Sequence, residues 1–97
     1  MIVNRRTFNL KQGREKGAVD AIKASYARDP GTHVVRWYLS DIGPFNKLVM
    51  EMEFQDLADY NAFWSGFDPG EDFWKMWFDL TDLGGENEIW QLVYKGS

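Results

Sequence analysis

Residues 33–54, HVVRWYLSDIGPFNKLVMEMEF, contain the pattern that decides the fold. Two segments rich in β-branched and aromatic residues, 33–40 and 47–54, are typical of strands, and Gly43-Pro44 between them predicts a turn. In the second segment the side chains alternate between two faces, with Leu48, Met50, Met52 and Phe54 on one and Val49, Glu51 and Glu53 on the other. Two strands joined by so short a turn are expected to pair as an antiparallel hairpin.

The segments on either side of the hairpin add two strands and three helices. The predicted elements are strands over 2–10 and 88–94, and helices over 14–28, over 57–65 and from 68 to 80. Asp68-Pro69-Gly70-Glu71 has the pattern of a capping box with proline at the first helical position, which predicts the start of the last helix there. Gly84-Gly85 predicts a break between that helix and the final strand.

The resulting order is strand, helix, strand, strand, helix, helix, strand, which is a variant of the ferredoxin-like arrangement. It predicts an α+β fold in which a four-stranded antiparallel sheet carries all its helices on one face. A chain of 97 residues has room for a single domain, so we expect residues 1–97 to form one ferredoxin-like unit.

Both faces of the predicted sheet are rich in large or apolar residues. The chain is 44% hydrophobic and holds five Trp, four Tyr and seven Phe, which is more than a core of this size usually needs. Large or apolar residues on both faces are typical of strands that are covered on both sides. The excess indicates a second burial surface, either a partner subunit or a ligand cavity. Trp37 and Trp90 are the candidate residues of a homodimer interface.

Charge and composition exclude several classes of protein. The net charge is −4 and no basic run exceeds Arg5-Arg6, so we expect no binding to nucleic acid. No apolar stretch approaches the roughly 20 residues of a membrane span, and no signal-peptide pattern opens the chain, which predicts a cytoplasmic protein without a membrane partner. The absence of cysteine excludes disulfides and thiolate metal sites.

Three short motifs carry a resemblance to a known family. Arg6-Thr7-Phe8-Asn9-Leu10, followed by Gly13, resembles the R-T-Y-x-L-x-x-G opening of NIPSNAP-like members of the dimeric α+β barrel superfamily. Residues 43–49 (GPFNKLV) are similar to the G-x-x-N turn that leads into the third strand of that family. Residues 68–77 are similar to the D-P-x-W segment that opens its last helix.

The resemblance implies a homodimer in which two sheets pack face to face into a barrel, with a cavity in or beside each subunit. Members include cofactor-free oxygenases, haem-handling enzymes, isomerases, stress proteins and many proteins of unknown function, so the fold alone does not fix an activity. The sequence departs from the family at Met50 and Met52, where NIPSNAP-like proteins tend to have His and Trp.

Glu51 and Glu53 form the most conspicuous polar pair on a strand. If both faces of the sheet are covered, these carboxylates are desolvated, their pKa is raised, and one of them can serve as a general base. The alternative is that they form ion pairs with Arg5, Arg36 or a lysine of a partner subunit.

Two further sets of residues are candidates for ligand binding. Arg6, Arg36 and Tyr38 could recognise an anion, because Arg binds carboxylates in a bidentate manner. Their alternative role is charge pairing between strands. A group of aromatic residues at helical spacing could wall a pocket for a flat apolar ligand or could be plain core: Tyr60, Phe63, Trp64, Phe73, Trp74 and Trp77.

The sequence contains no catalytic, nucleotide-binding or metal-binding motif. His33 is the only histidine and is expected to be an ordinary surface or edge residue, so neither a metal nor a cofactor is predicted and no catalytic residue is assigned. The leading hypothesis is a small-molecule-binding, NIPSNAP-like homodimer whose ligand is apolar or aromatic. The alternatives are a cofactor-independent monooxygenase or isomerase acting on an aromatic or polyketide-like substrate, and an interaction or stress-response module without chemistry.

Overall fold

The computed structural model of the chain describes residues 1–68 and 70–96. Its elements follow the predicted order: β1 (Ile2–Leu10), α1 (Glu15–Arg28), β2 (Val35–Leu39), β3 (Lys47–Phe54), α2 (Leu57–Ser65), α3 (Asp72–Leu80) and β4 (Thr81–Gln91). Within the described residues no helix is both long and apolar enough to cross a bilayer.

The four strands form one antiparallel sheet in the order β2-β3-β1-β4. The predicted hairpin is confirmed, because β2 pairs with β3 from Val35 opposite Met52 to Leu39 opposite Leu48. Asn46, in the connecting turn, has a positive φ of 58°, a conformation that Asn tolerates better than most residues. The α+β fold with a four-stranded sheet is therefore confirmed.

All three helices lie on one side of the sheet, and we call that side the helix-covered face. On β3 it presents Leu48, Met50, Met52 and Phe54, which are all buried. The opposite side, which we call the open face, carries the other parity: Val3 and Arg5 of β1, Arg36 and Tyr38 of β2, Glu51 and Glu53 of β3, and Glu88 and Trp90 of β4. Every side chain on a strand therefore belongs to one of two separate environments.

Strand β4 begins earlier than the sequence predicts, at Thr81 rather than at residue 88. Gly84-Gly85 lies inside the strand instead of closing a loop, next to a shift in the pairing with β1 between Thr7 and Asn9. A Cβ atom at Gly85 would lie 2.5 Å from the carbonyl oxygen of Thr7. Glycine in a strand often marks such a close approach of two backbones. The break predicted at Gly84-Gly85 is therefore wrong.

Helix α3 begins later than the capping-box pattern predicts. Its N-cap is Glu71, which makes no capping bond with its side chain, and its first residue is Asp72. Asp68 instead accepts hydrogen bonds at its side chain from the Gly70 amide (2.8 Å) and at its carbonyl from the Glu71 amide (3.1 Å). Asp68 therefore shapes a turn before the helix, and the predicted capping box is wrong; Pro69 lies outside the described residues.

Candidate functional site

A cleft of about 1300 Å³ lies on the helix-covered side of the sheet. Its lining comes from all four strands and all three helices, and from the segment between α1 and β2. Five of the predicted pocket aromatics line it: Phe63, Trp64, Phe73, Trp74 and Trp77. The sixth, Tyr60, is hydrogen-bonded to two residues of the lining, Arg6 and Asn87.

The aromatic rings of the cleft hold one another in fixed orientations. Trp77 is 1% exposed and stacks on Phe73 with ring centroids 5.8 Å apart. The rings of Phe8 and Trp37 meet Trp77 edge-on at 5.3 and 5.7 Å. Such edge and offset contacts are the favoured geometries of aromatic pairs. This wall is therefore preformed, and Trp77 serves at once as core and as lining.

Two buried indole N–H groups of the cleft have no acceptor. The Nε1 atoms of Trp64 and Trp77 are both closed off from solvent, and neither finds a hydrogen-bond partner among residues 1–68 and 70–96. A buried donor without a partner costs about 1–3 kcal/mol. A ligand or a water molecule that reached either group with an acceptor would remove that cost.

Arg6 supplies one positive charge of the cleft, and Lys11, which also belongs to the lining, supplies another. Its guanidinium carbon lies 3.8 Å from the centroid of the Trp64 ring, in a cation–π contact. Its Nε donates to Oδ1 of Asn4 at 3.2 Å, and its Nη2 donates to the hydroxyl of Tyr60 at 3.5 Å. These contacts hold the guanidinium over the indole ring.

Asn4, two residues before Arg6 on the same face of β1, fixes the position of the guanidinium by a hydrogen bond. Its side chain is fully buried, and its Nδ2 donates to Oδ1 of Asn87 (2.6 Å) and to the carbonyl of Glu88 (3.0 Å). Because both protons of the amide are used on β4, the Oδ1 atom is left for Arg6. The sequence analysis missed this residue, although an Asn among apolar positions of a central strand is the signal that could have found it.

Glu51 and Glu53 lie on the open face, away from the cleft. Glu53 is only 8% exposed and pairs with Nη1 of Arg36 at 3.2 Å and with Nζ of Lys95 at 3.0 Å. Glu51 lies 3.9 Å from Nε of Arg5. Hydrogen bonding to Lys95 is the main cause that lowers the pKa of Glu53, against an opposing effect of burial. The expected raised pKa is therefore wrong for Glu53, and the ion-pair interpretation with Arg5 and Arg36 describes both residues.

The predicted anion-binding set is not brought together. Arg6 lies on the helix-covered face, whereas Arg36 and Tyr38 lie on the open face. Partial desolvation, followed by the negative charge of Glu51, raises the pKa of Tyr38. Arg36 is already engaged with Glu53. Of the three residues, only Arg6 belongs to the cleft.

The two candidate interface tryptophans lie on opposite sides of the sheet. Trp90 is on the open face and 55% exposed. Trp37 stacks against Phe8 in the helix-covered layer, and its Nε1 donates to the hydroxyl of Tyr26 at 3.2 Å. A face-to-face pairing of two sheets would leave Trp37 buried beneath its own helices. This placement corrects the assignment of Trp37, which is a residue of the cleft wall.

His33 connects the start of β2 to α2. Its Nε2 lies 3.1 Å from Oδ1 of Asp59, and its ring packs against Phe54 at 4.8 Å. The Gln55 amide first, and His33 second, lower the pKa of Asp59. Within the part of the chain that the structure describes, no three His, Asp or Glu side chains cluster as metal ligands do. His33 is thus a partly buried residue that ties a strand to a helix.

Comparison with known proteins gives structural relatives only. No protein-family model and no curated protein matches the chain. A NIPSNAP family protein of unknown function from Agrobacterium tumefaciens is 24% identical over 92% of this chain and 85% of that chain, with a TM-score of 0.70. An uncharacterised NIPSNAP domain protein from Burkholderia xenovorans is 14% identical over the whole of both chains, with a TM-score of 0.75.

A third solved structure comes from a protein of Nitrosomonas europaea that is provisionally named an antibiotic biosynthesis monooxygenase. It is 16% identical over 97% of this chain and all of that chain, with a TM-score of 0.68. At these identities the likeness establishes a shared fold. The chain therefore has the ferredoxin-like fold of NIPSNAP and antibiotic biosynthesis monooxygenase structures, as its motifs predicted.

Proposed function

We propose that the protein binds a flat, apolar or aromatic small molecule in the cleft on the helix-covered side, and that it does so as a homodimer. The observation that carries this proposal is the cleft itself, because its aromatic wall is preformed and its polar groups are few and fixed. Ligand sites are commonly concave and apolar with a small number of placed polar groups, in volumes of roughly 300–1,000 Å³. A drug-sized molecule would fill part of this cleft.

The homodimer is supported by the open face. Trp90 and Tyr38 are 55% and 47% exposed there, on the two edge strands of the sheet, and such aromatic residues are enriched at protein interfaces. Most charges of the same face are already paired within the chain, Glu53 with Arg36 and Lys95, and Glu51 with Arg5. Burying charges that already have partners costs less than burying single charges. A second copy that covered this face would bury these pairs, and it would have to supply a counterion for Glu88, which makes no ion pair among the described residues.

The binding proposal is tested with 8-anilino-1-naphthalenesulfonate, an aromatic sulfonate probe whose fluorescence rises in apolar sites. We expect saturable binding that weakens about tenfold or more in Trp74→Ala, because a large aromatic residue of the wall is lost. Phe45→Ala is the control, since Phe45 is an exposed aromatic residue outside the cleft. The proposal fails if no saturable binding occurs, or if both variants bind as the wild type does.

A second candidate is a cofactor-independent monooxygenase. It is favoured by the likeness to the structure from Nitrosomonas europaea, by the Trp64 indole in the cleft lining, and by the Tyr60 hydroxyl, which is hydrogen-bonded to Arg6 of the lining. Glu51 and Glu53 are no longer candidates for its general base, because they lie on the open face. Oxygen uptake in the presence of 1-naphthol tests this candidate; uptake no faster than in a Tyr60→Phe, Trp64→Phe double variant would contradict it.

A further inference from the structure

We propose that the cleft selects an organic anion, a flat apolar molecule with a single carboxylate, and that Arg6 binds this carboxylate. The inference rests on the proposed binding function and names the class of its ligand. The apolar body would lie against the aromatic wall, and the carboxylate would lie at the Arg6 end of the cleft.

The charge of Arg6 has no counterion among the described residues. The other two arginines of the sheet are both paired with carboxylates on the open face, Arg5 with Glu51 and Arg36 with Glu53. Arg6 is half-buried and makes no ion pair within residues 1–68 and 70–96. A charge that is partly removed from water and lacks a counterion favours an anionic ligand.

The hydrogen-bond geometry around Arg6 leaves donors available. A guanidinium has five N–H groups, and only Nε and one Nη2 proton have acceptors in the described protein. The Tyr60 hydroxyl accepts from Arg6 and from Nδ2 of Asn87 (3.4 Å), and its own proton has no acceptor among the described residues. Two N–H groups of an arginine and a neighbouring O–H match the oxygens of one carboxylate.

The aromatic rings beside Arg6 form the surface that the apolar part of the ligand would contact. Trp64, on which the guanidinium lies, has Phe63 at 5.0 Å and Trp74 at 6.4 Å between ring centroids. A flat ring system that is bound by Arg6 would therefore meet aromatic surface directly beyond its carboxylate. The spacing favours an aryl carboxylate over a small inorganic anion, which would leave these rings uncovered.

The acidic residues of the cleft limit the charge of the ligand. Four acidic residues belong to the lining: Asp29, Glu71, Asp82 and Glu86. Two of them, Asp82 and Glu86, lie opposite Asn9 and Thr7 on the parity of the open face. All four are exposed, so solvent and salt screen them, and none lies within 4 Å of the charged nitrogens of Arg6. Four acidic residues against two basic ones, Arg6 and Lys11, still oppose a ligand with several negative charges, which favours a monoanion over a phosphate or a polycarboxylate.

The test compares two probes of the same shape, 2-naphthoate and 2-naphthamide, by isothermal titration calorimetry. Charge-assisted hydrogen bonds to Arg predict that the wild type binds the naphthoate about tenfold or more tightly than the neutral amide. Arg6→Gln should bind both probes alike, with the affinity of the wild type for the amide. Arg6→Lys should keep part of the preference for the anion.

The control is Arg14→Gln, which removes the same charge from an exposed residue outside the cleft and should keep the full preference. Equal affinity of the wild type for the two probes would overturn the anion proposal while leaving the proposed binding function intact. The comparison in the wild type decides this even if a variant does not fold. If 2-naphthoate, 2-naphthamide and 8-anilino-1-naphthalenesulfonate all fail to bind, both the anion proposal and the proposed binding function fail.

Discussion

Asn4 shows how one buried polar residue sets the polarity of the cleft. It lies in the central strand with both amide protons bonded to β4 and its oxygen bonded to Arg6. A polar side chain is retained in an apolar layer only when its hydrogen bonds are satisfied. Asn4 therefore couples the pairing of β1 with β4 to the placement of the arginine.

Replacing Asn4 by alanine should lower the free energy of unfolding by about 1–3 kcal/mol, because the carbonyl of Glu88 and the Nε of Arg6 lose buried partners. Urea unfolding monitored by tryptophan fluorescence measures the change. Asn61→Ala, at an exposed position of α2, serves as the control and should stay within about 0.5 kcal/mol of the wild type. Equal effects of the two substitutions would show that the Asn4 network contributes nothing.

The ion pairs of Glu53 predict a pH dependence of stability. Because its pKa is lower in the folded chain than in the unfolded chain, the stabilisation is present above the ordinary glutamate range and is lost as the pH falls through the folded pKa. Glu53→Gln should therefore flatten the fall in the free energy of unfolding on the acid side.

Lys95→Ala should flatten the same part of the curve, since hydrogen bonding to Lys95 is the main cause of the shift. Lys75→Ala removes an equal charge from an exposed position on α3 and should leave the slope unchanged. Denaturant unfolding at several values between about pH 3 and pH 7, an interval that includes the ordinary carboxyl pKa values, gives the slope of the free energy of unfolding against pH. A Glu53→Gln variant with the wild-type slope would contradict the assignment.

At the scale of the elements, the strands show where sequence reasoning succeeds. The bounds of β1 and β3, and the antiparallel pairing of the hairpin, follow from alternation and turn residues. The start of β4 could not be predicted in this way, because two consecutive glycines at 84 and 85, taken without their structural context, indicate a break in a strand. Only the approach of the Thr7 carbonyl shows that Gly85 belongs to a strand, and that contact joins residues far apart in sequence.

Gly85→Ala should destabilise the fold by about 1–3 kcal/mol, because the new methyl group would meet the backbone of β1 at 2.5 Å. Gly66→Ala is the matched control: its nearest neighbour would be 3.7 Å away and its φ of −85° suits any residue. Thermal unfolding compares the two variants. Similar melting temperatures for both would show that the backbones of β1 and β4 are not in close contact.

At the scale of the whole molecule, the sheet separates two surfaces. The sequence named the aromatic residues and Arg6 as candidates for a ligand site, since residue type and spacing carry that information, and the structure places most of them around one cleft. It grouped Arg6 with Arg36 and Tyr38, and Trp37 with Trp90, because the side of the sheet on which a strand residue lies depends on the positions of the helices. The candidate site and the proposed dimer surface therefore differ from the predicted ones only in the side of the sheet to which each residue is assigned.

The open face makes the proposed dimer testable independently of the cleft. Trp90→Ala should weaken self-association at least tenfold, because it removes a large exposed aromatic residue from the proposed interface. Sedimentation equilibrium over micromolar concentrations measures the effect. Trp37→Ala should disturb the core and the cleft and leave the sheet face unchanged. A wild-type chain that is monomeric throughout this range would contradict the dimer.

The occupancy of the cleft is tested most directly by the indole N–H resonances of the ¹⁵N-labelled protein during titration with 2-naphthoate. We expect the signals of Trp64 and Trp77, whose N–H groups lack acceptors in the described structure, to shift in a saturable manner, with Trp90 unchanged on the other side of the sheet. Single Trp→Phe variants assign the signals. A shift of Trp90 alone, or no shift in any signal, would contradict a ligand site on the helix-covered side.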